Sequence, residues 1–188
     1  MKELSLNILD IAENSLKAKA STVKILINET ERELEIIIED DGCGMTEETL
    51  RSVTNPFYTT RTTRKVGMGI PLFKMEAEQT GGTLTIASRH RDDFPDSHGT
   101  TVKASFFKSS IDFIPLGDIT DTVVTLIHGH PSTDLVFIHN MKCGSVTLDT
   151  KEIRAVLEDV PLDSFEVLSW IRQNLEGQYE ELNQTEIK

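Results

Sequence analysis

A chain of 188 residues suits one large domain, or one domain with a small appendage. Its 31 acidic and 19 basic residues give a net charge of −12, so general binding to nucleic acid is not expected, because the phosphate backbone would be repelled. The two cysteines, Cys43 and Cys143, lie far apart, and no apolar stretch is long enough to predict a membrane segment. We therefore expect a reduced, cytoplasmic protein without a disulfide framework.

Residues 3–18 have the periodicity of an amphipathic helix, with a broad apolar arc on one side. On the other side, Asp10, Asn14 and Lys17 follow one another at spacings of four and three residues, which aligns them in one stripe. A solvated helix face has the same pattern. The alternative is one wall of a phosphate site, because an asparagine oxygen suits Mg²⁺ and a lysine offsets phosphate charge.

The next stretch predicts a hairpin followed by a tight turn. Ser21–Asn28 and Leu34–Asp40 have the composition of strands, and the second is apolar almost throughout, which indicates a central position. The turn Asp40-Asp41-Gly42-Cys43-Gly44-Met45 leads into a short helix predicted over Thr46–Thr54 and capped by Thr46. An acid and two glycines at a strand end let backbone approach a flat ligand, whose edge can donate to the acid. An ordinary turn needs the same residues and no ligand.

Residues 55–66 are basic and rich in hydroxyl groups within an acidic protein, and they show neither helical nor strand periodicity. Such a segment is either an exposed loop or an anion-binding lid. Gly67 and Gly69 follow it and precede a helix predicted over Phe73–Gln79. Glycines at a helix entry allow backbone N–H groups to point at phosphates, and the helix dipole helps.

Two more strands, Thr83–Ser88 and Thr100–Phe107, are predicted next, and the hydroxyl of Thr100 lies where it can reach a ligand on the sheet. A composition shift near residue 109 predicts a boundary between a domain over 1–108 and a small C-terminal α+β unit over 109–188. Within that unit we predict helices at Gly117–His128, Thr150–Glu158 and Ser164–Leu175, and a hairpin of Asp134–His139 with Ser145–Leu148. The tail from Glu176 is polar and is expected to fray.

In order and spacing, these stretches resemble the GHKL superfamily of ATP-binding proteins: sensor histidine kinases, DNA gyrase B, MutL-type repair proteins and related chaperones. The similarity covers roughly residues 5–107 and is greatest to the catalytic ATP-binding domain of sensor histidine kinases. Five conserved boxes of that family have counterparts in this chain. The segments of this chain that are similar to the boxes are Ile8–Ala18 (asparagine box), Asp40–Gly44 (first glycine box), Pro56–Arg61 (phenylalanine box), Gly67–Ile70 (second glycine box) and Gly99–Thr101 (threonine element).

The resemblance implies a two-layer α+β sandwich of the Bergerat type, with a mixed sheet and helices on one face. It implies ATP and Mg²⁺ as cofactors, with Asn14 as the metal ligand and Asp40 as the adenine-binding acid. The cofactor-binding residues it assigns are Asn14, Lys17, Asp40, Gly42, Gly44, Met45, Tyr58, Arg61, Lys65, Gly67, Gly69 and Thr100. Asp10 stands at the position of the catalytic base in hydrolysing members, with Glu13 as the alternative. Lys65 departs from the pattern, because the second glycine box usually begins with another glycine.

Several functions stay open at this point. A kinase that phosphorylates a histidine on a separate partner protein is favoured by the histidine-kinase-like lid motif. An ATP-operated switch or slow ATPase is the alternative that Asp10 permits. An anti-sigma-type serine kinase is favoured because no phosphoacceptor domain is recognised, although the stretch 57–61 resembles that family less. A nucleotide-dependent binding module is the fourth alternative. No nucleic-acid partner is expected, and a homodimer is compatible with the sequence.

Overall fold

The structure is a computed structural model that describes residues 3–53, 69–157 and 159–186. The described residues form six strands: β1 Thr22–Glu29, β2 Glu33–Asp40, β3 Thr83–Arg89, β4 Gly99–Phe107, β5 Asp134–Met141 and β6 Gly144–Asp149. They also form six helices: α1 Leu4–Lys17, α2 Glu47–Ser52, α3 Gly69–Gln79, α4 Ile119–Gly129, α5 Thr150–Leu157 and α6 Phe165–Glu186.

The six strands form one mixed sheet in the order β3-β4-β2-β1-β5-β6. Neighbours are antiparallel except β1 and β5, which run parallel, with Thr22 opposite Asp134. The β2–β4 pairing sets Asp40 opposite Thr100. Two residues that are 60 positions apart in the sequence therefore meet at one end of two adjacent strands.

One face of the sheet carries the core. Alternate residues of β1 and β2, such as Val23, Ile25 and Ile36, are fully buried, which is the period of two expected for a strand with one covered face. Helices α1, α3, α4 and α6 cover this face. The opposite face is more polar and carries the ion pair between Lys24 and Glu39, 3.7 Å apart. The predicted α+β sandwich, with a mixed sheet and helices on one face, is confirmed.

The C-terminal segment extends the sheet of the N-terminal part. Strand β5 pairs with β1 from Asp134 to Asn140, and α4 packs on α1, where the Thr122 hydroxyl donates to the Ser5 carbonyl at 3.3 Å. The link before α4 caps α1, because the N–H groups of Leu4 and Ser5 donate to the carbonyls of Pro115 and Leu116. The boundary at residue 109 stays a prediction, and the two segments share one sheet and one hydrophobic core.

Two predicted helix bounds were wrong. The tail from Glu176 does not fray, because α6 continues to Glu186 and packs Tyr179 and Leu182 against the core. Helix α3 begins at Gly69, four residues before the predicted start, and Pro71 occupies its first turn.

The structure bears on the state of the cysteines and on membrane-spanning helices. Cys43 and Cys143 are both free thiols. Within the ranges that the structure describes, no helix is both long and apolar enough to cross a membrane.

Candidate functional site

A cavity of about 350 Å³ lies between α1 and the ends of β2 and β4. Six of the residues predicted to bind a cofactor line it: Asn14, Lys17, Asp40, Gly44, Met45 and Thr100. The rest of the wall is mainly apolar and is formed by Ile11, Ala18, Val53, Ile70 and Val102, with Ser15 as a further polar residue. A mostly apolar cavity with a few convergent polar groups is the usual form of a small-molecule site.

The Asp40 carboxylate is fixed from two sides at the floor of this cavity. The Ser15 hydroxyl donates to one carboxylate oxygen at 2.6 Å, and the Gly42 N–H donates to the other at 2.9 Å. A carboxylate has about four acceptor positions, so two bonds leave lone pairs free for a ligand. Asp40 is therefore a preoriented acceptor that keeps capacity on the cavity side.

The neighbouring Asp41 has a different environment. It accepts from the N–H groups of Ser21 and Thr22, at 2.7 and 2.9 Å, and from the Ser21 hydroxyl. Burial opposes ionisation, but the hydrogen bonds from Ser21 and Thr22 prevail and hold the pKa of Asp41 below its usual value. Asp41 fastens the turn to the start of β1 and does not line the cavity.

The glycines of the turn are required by the approach of the protein's own backbone. Gly44 has φ +68°, and a Cβ there would overlap the carbonyl of Arg89 at the end of β3. A Cβ on Gly42 would lie 2.9 Å from an Asp40 carboxylate oxygen and 3.0 Å from Ala18. The absence of a side chain thus lets the turn fold over Asp40.

A hydroxyl network joins the turn to β4. The Ser88 and Thr100 hydroxyls lie 2.9 Å apart, and Ser88 also accepts from the Met45 N–H at 2.8 Å. This network fixes Met45 and Thr100 on the cavity wall. Ser88 was not among the predicted site residues, since it belongs to a strand whose register with β4 is not local in sequence.

The polar stripe of α1 divides in the structure. Asn14 and Lys17 line the cavity, whereas Asp10 is exposed beside the start of α3, where a Cβ on Gly69 would lie 3.3 Å from the Cβ of Asp10. Glu13 points to other partners, because its carboxylate is 3.0 Å from His130 Nε2 and 3.9 Å from Lys17 Nζ. Of the two acids predicted as bases, Asp10 is the one that lies next to the second glycine box.

Four predicted residues, Tyr58, Arg61, Lys65 and Gly67, lie outside the described residues. Ser15 was missed as a site residue. The sequence could have indicated Ser15, because its hydroxyl lies on the apolar arc of α1 and a buried polar side chain needs a hydrogen-bond partner. That partner is Asp40.

Known proteins share sequence and fold with this chain. The family described as histidine kinase-, DNA gyrase B-, and HSP90-like ATPase matches residues 2–110, more than half of the chain. The chain belongs to this ATPase family. The matched range includes every residue that lines the cavity.

Two curated relatives are kinases by name. A putative sensor histidine kinase NtrY-like protein of Rickettsia bellii (strain RML369-C) is 31% identical over 90 residues, which is 47% of this chain and 15% of the relative. Sporulation kinase A of Bacillus subtilis (strain 168) is 30% identical over 108 residues, which is 57% of this chain and 16% of that protein. The chain thus spans only a small part of the length of these relatives.

The fold is also that of a known ATPase domain. The Aquifex aeolicus MutL ATPase domain complexed with ADP matches with a TM-score of 0.55 at 14% identity, over 84% of this chain and 70% of that domain. An N-terminal domain of a DNA repair protein matches with the same TM-score and identity over 79% of this chain and 53% of its own. At such identities the likeness concerns the fold.

Proposed function

We propose that this protein binds Mg-ATP in the cavity between α1 and the ends of β2 and β4, and transfers the γ-phosphoryl group to a histidine on a separate protein in cytoplasmic signal transduction. The observation that carries the proposal is the convergence of Asn14, Asp40 and Thr100 on one cavity from three separate elements. Membership of the histidine kinase-like ATPase family supports the nucleotide as ligand. The two kinase relatives support phosphoryl transfer.

Asp40 recognises adenine in this proposal. Its carboxylate accepts a hydrogen bond from the exocyclic amine, while Ser15 and Gly42 keep the carboxylate oriented before the ligand arrives. Preorientation reduces the entropy lost on binding. Thr100 and Met45, held by Ser88, complete the wall on the β4 side.

Asn14 is the proposed ligand of Mg²⁺. A neutral amide oxygen suits this hard cation, which takes oxygen ligands and commonly binds through few protein groups plus phosphate and water. The described residues hold no group of three His, Cys, Asp or Glu that would suit a different metal. When bound, Mg²⁺ offsets the charge on the phosphate oxygens during transfer.

The positive groups near the phosphates are proposed to be Lys17, Arg61 and Lys65. Lys17 has a side chain that is 68% exposed at the cavity, so it is free to turn toward a phosphate. Its contact with Glu13 is long, at 3.9 Å, and weak at an exposed site. The N-terminus of α3 at Gly69 adds the positive end of a helix dipole.

A slow ATPase or ATP-operated switch is the second candidate. It is favoured by the carboxylate of Asp10 beside Gly69, where a base would face an attacking water.

Incubation with γ-labelled ATP and Mg²⁺ separates these functions. A kinase of histidine gives acid-labile label on a partner protein, and a serine kinase gives acid-stable label. An ATPase releases free phosphate without a partner, and Asp10→Asn should then abolish the release while ATP still binds. Failure of the protein to bind ATP at all would refute both candidates.

A further inference from the structure

A groove of about 600 Å³ lies between α5 and the start of α6, away from the ATP cavity. Its lining is apolar over most of its surface and comes from Ile153, Val156, Leu157, Val167 and Trp170, with Glu152 and Glu166 as the charged members. None of these residues lines the cavity that holds Asn14 and Asp40. The groove is therefore a separate feature of the C-terminal segment.

Large apolar side chains at this groove are unusually exposed. Val156 is 82% exposed and Trp170 51%, and Phe165, next to Glu166 at the start of α6, is 80% exposed. Single exposed apolar residues are common, but a contiguous group around a groove marks an interaction site. The floor is firm, because Val167 is buried and Ile153 and Leu157 pack on the core.

The charge around the groove is negative. Residues 150–170 contain five acidic and two basic residues. Glu152 and Glu166 belong to the lining, and Asp159 and Asp163 are exposed in the loop between the helices. Arg154 is turned away, since it donates to Asp134 and to the carbonyls of Pro131 and Thr133.

This combination selects among the possible occupants. A second copy would bring the same acidic rim against itself in a protein of net charge −12, and an anionic membrane surface would also be repelled. A helix with an apolar stripe and basic flanks matches both the shape and the charge. We propose that the α5–α6 groove binds an amphipathic helix of a partner protein, with apolar side chains at three- and four-residue spacing and Lys or Arg on its flanks.

The chain contains its own reporter for this site. Trp170 is the single tryptophan, and it lines the groove half exposed. The probe is a synthetic peptide of about 18 residues, with leucine at helical spacing and lysine elsewhere, long enough to form a helix on binding. The matched peptide has glutamate in place of lysine. The full chain is titrated with each, and the emission of Trp170 is followed.

The Leu/Lys peptide should give a saturable blue shift that weakens with added salt, and the Leu/Glu peptide should give none. Val156→Glu should weaken the Leu/Lys peptide at least about tenfold. Ile111→Glu is the control, because Ile111 is 99% exposed, lies outside the groove and receives the same new charge. Val156→Glu makes the protein more acidic, so nonspecific attraction to a basic peptide would rise rather than fall. ATP should not compete.

Equal binding of both peptides, or equal effects of the two substitutions, would overturn the proposal. So would the absence of any emission change with the Leu/Lys peptide. A blue shift that appears on raising the concentration of the protein alone would assign the groove to a second copy instead. A shift with phosphatidylcholine vesicles but not with the peptide would assign it to a lipid surface.

Discussion

Substitution of Asp40 by asparagine tests adenine recognition without changing the shape of the site. The asparagine oxygen can still accept from the Gly42 N–H, and its amide can donate to the Ser15 hydroxyl, so both internal contacts of Asp40 persist in the variant. What changes is the group facing the ligand. An amide N–H₂ would meet the exocyclic amine of adenine, which sets a donor against a donor.

The loss of a hydrogen bond to a charged acceptor costs about 1.5–3 kcal/mol. Since 1.4 kcal/mol corresponds to a factor of ten, Asp40→Asn should weaken ATP binding about 10- to 150-fold. Inosine triphosphate carries a carbonyl where ATP carries the amine, and that carbonyl can accept from the new amide. The preference for ATP over inosine triphosphate should therefore fall or reverse in the variant.

Isothermal titration calorimetry with Mg²⁺ and each nucleotide measures both effects. Asp41→Asn is the matched control, because Asp41 is the adjacent aspartate, is bonded to Ser21 and Thr22, and lies off the cavity. The control should lower stability and leave the affinity for ATP within about twofold. Adenine recognition by Asp40 is refuted if folded Asp40→Asn binds ATP as the wild type does, with an unchanged ratio between the nucleotides.

Two further predictions concern stability, measured by urea unfolding. Gly44→Ala should destabilise the protein by at least about 2 kcal/mol, because Gly44 has φ +68° and a Cβ would overlap the Arg89 carbonyl. Gly177→Ala is the control, because Gly177 lies within α6 and no atom lies within 4 Å of the new Cβ. This control should stabilise the protein by about 0.5–1 kcal/mol. Equal effects of the two changes would contradict the packing of the turn. The second prediction concerns Glu29, whose pKa is lowered from 4.5 to about 2. The hydrogen bond from His139 is the main cause of this lowering, and the hydrogen bond from Lys108 adds to it. Burial of the carboxylate acts in the opposite direction. A carboxylate whose pKa is lowered by folding contributes stability that is complete above its pKa in the unfolded chain and is lost as the pH falls toward its pKa in the folded protein. The free energy of unfolding of the wild type should therefore exceed that of Glu29→Gln by less at about pH 3 than at about pH 6, and the difference should shrink by about 1–2 kcal/mol. An advantage that does not change over that interval would show that Glu29 is not held ionised by the network.

The parts of the fold that the sequence predicted well are those set by local pattern. The hairpin of β1 and β2 follows from alternation and a polar link, and the N-cap at Thr46 is confirmed, where its hydroxyl accepts from the Thr49 N–H. The order of the ATP-binding boxes was readable because each is a short motif that needs particular residue types. Six of the residues that the family pattern assigns to the cofactor line one cavity.

Contacts between distant segments could not be predicted in the same way. The meeting of Asp40 and Thr100 depends on the register of β2 with β4, and the pairing of Glu13 with His130 depends on where α4 ends against α1. Neither contact can be predicted from the spacing of residues along the chain. The parallel insertion of β5 beside β1 is likewise a matter of tertiary pairing.

The end of α6 has a helical pattern of apolar residues that is masked by the polar residues around it. Leu175, Tyr179 and Leu182 recur at spacings of four and three residues, which is a helical stripe. The many glutamates and glutamines between them lowered the mean hydropathy and predicted a frayed end. The structure packs this stripe against the core, and the Tyr179 hydroxyl lies 2.9 Å from His139 Nδ1.

Binding of ATP by the wild type and by Asn14→Ala, each titrated with Mg²⁺ and then in EDTA, tests the Mg-ATP site most directly. We predict that the wild type binds far more tightly with Mg²⁺, and that folded Asn14→Ala loses this Mg²⁺-dependent gain. Asn183→Ala, an exposed position on α6, should behave as the wild type. A folded Asn14→Ala variant that binds Mg-ATP with wild-type affinity would contradict the assignment of this cavity.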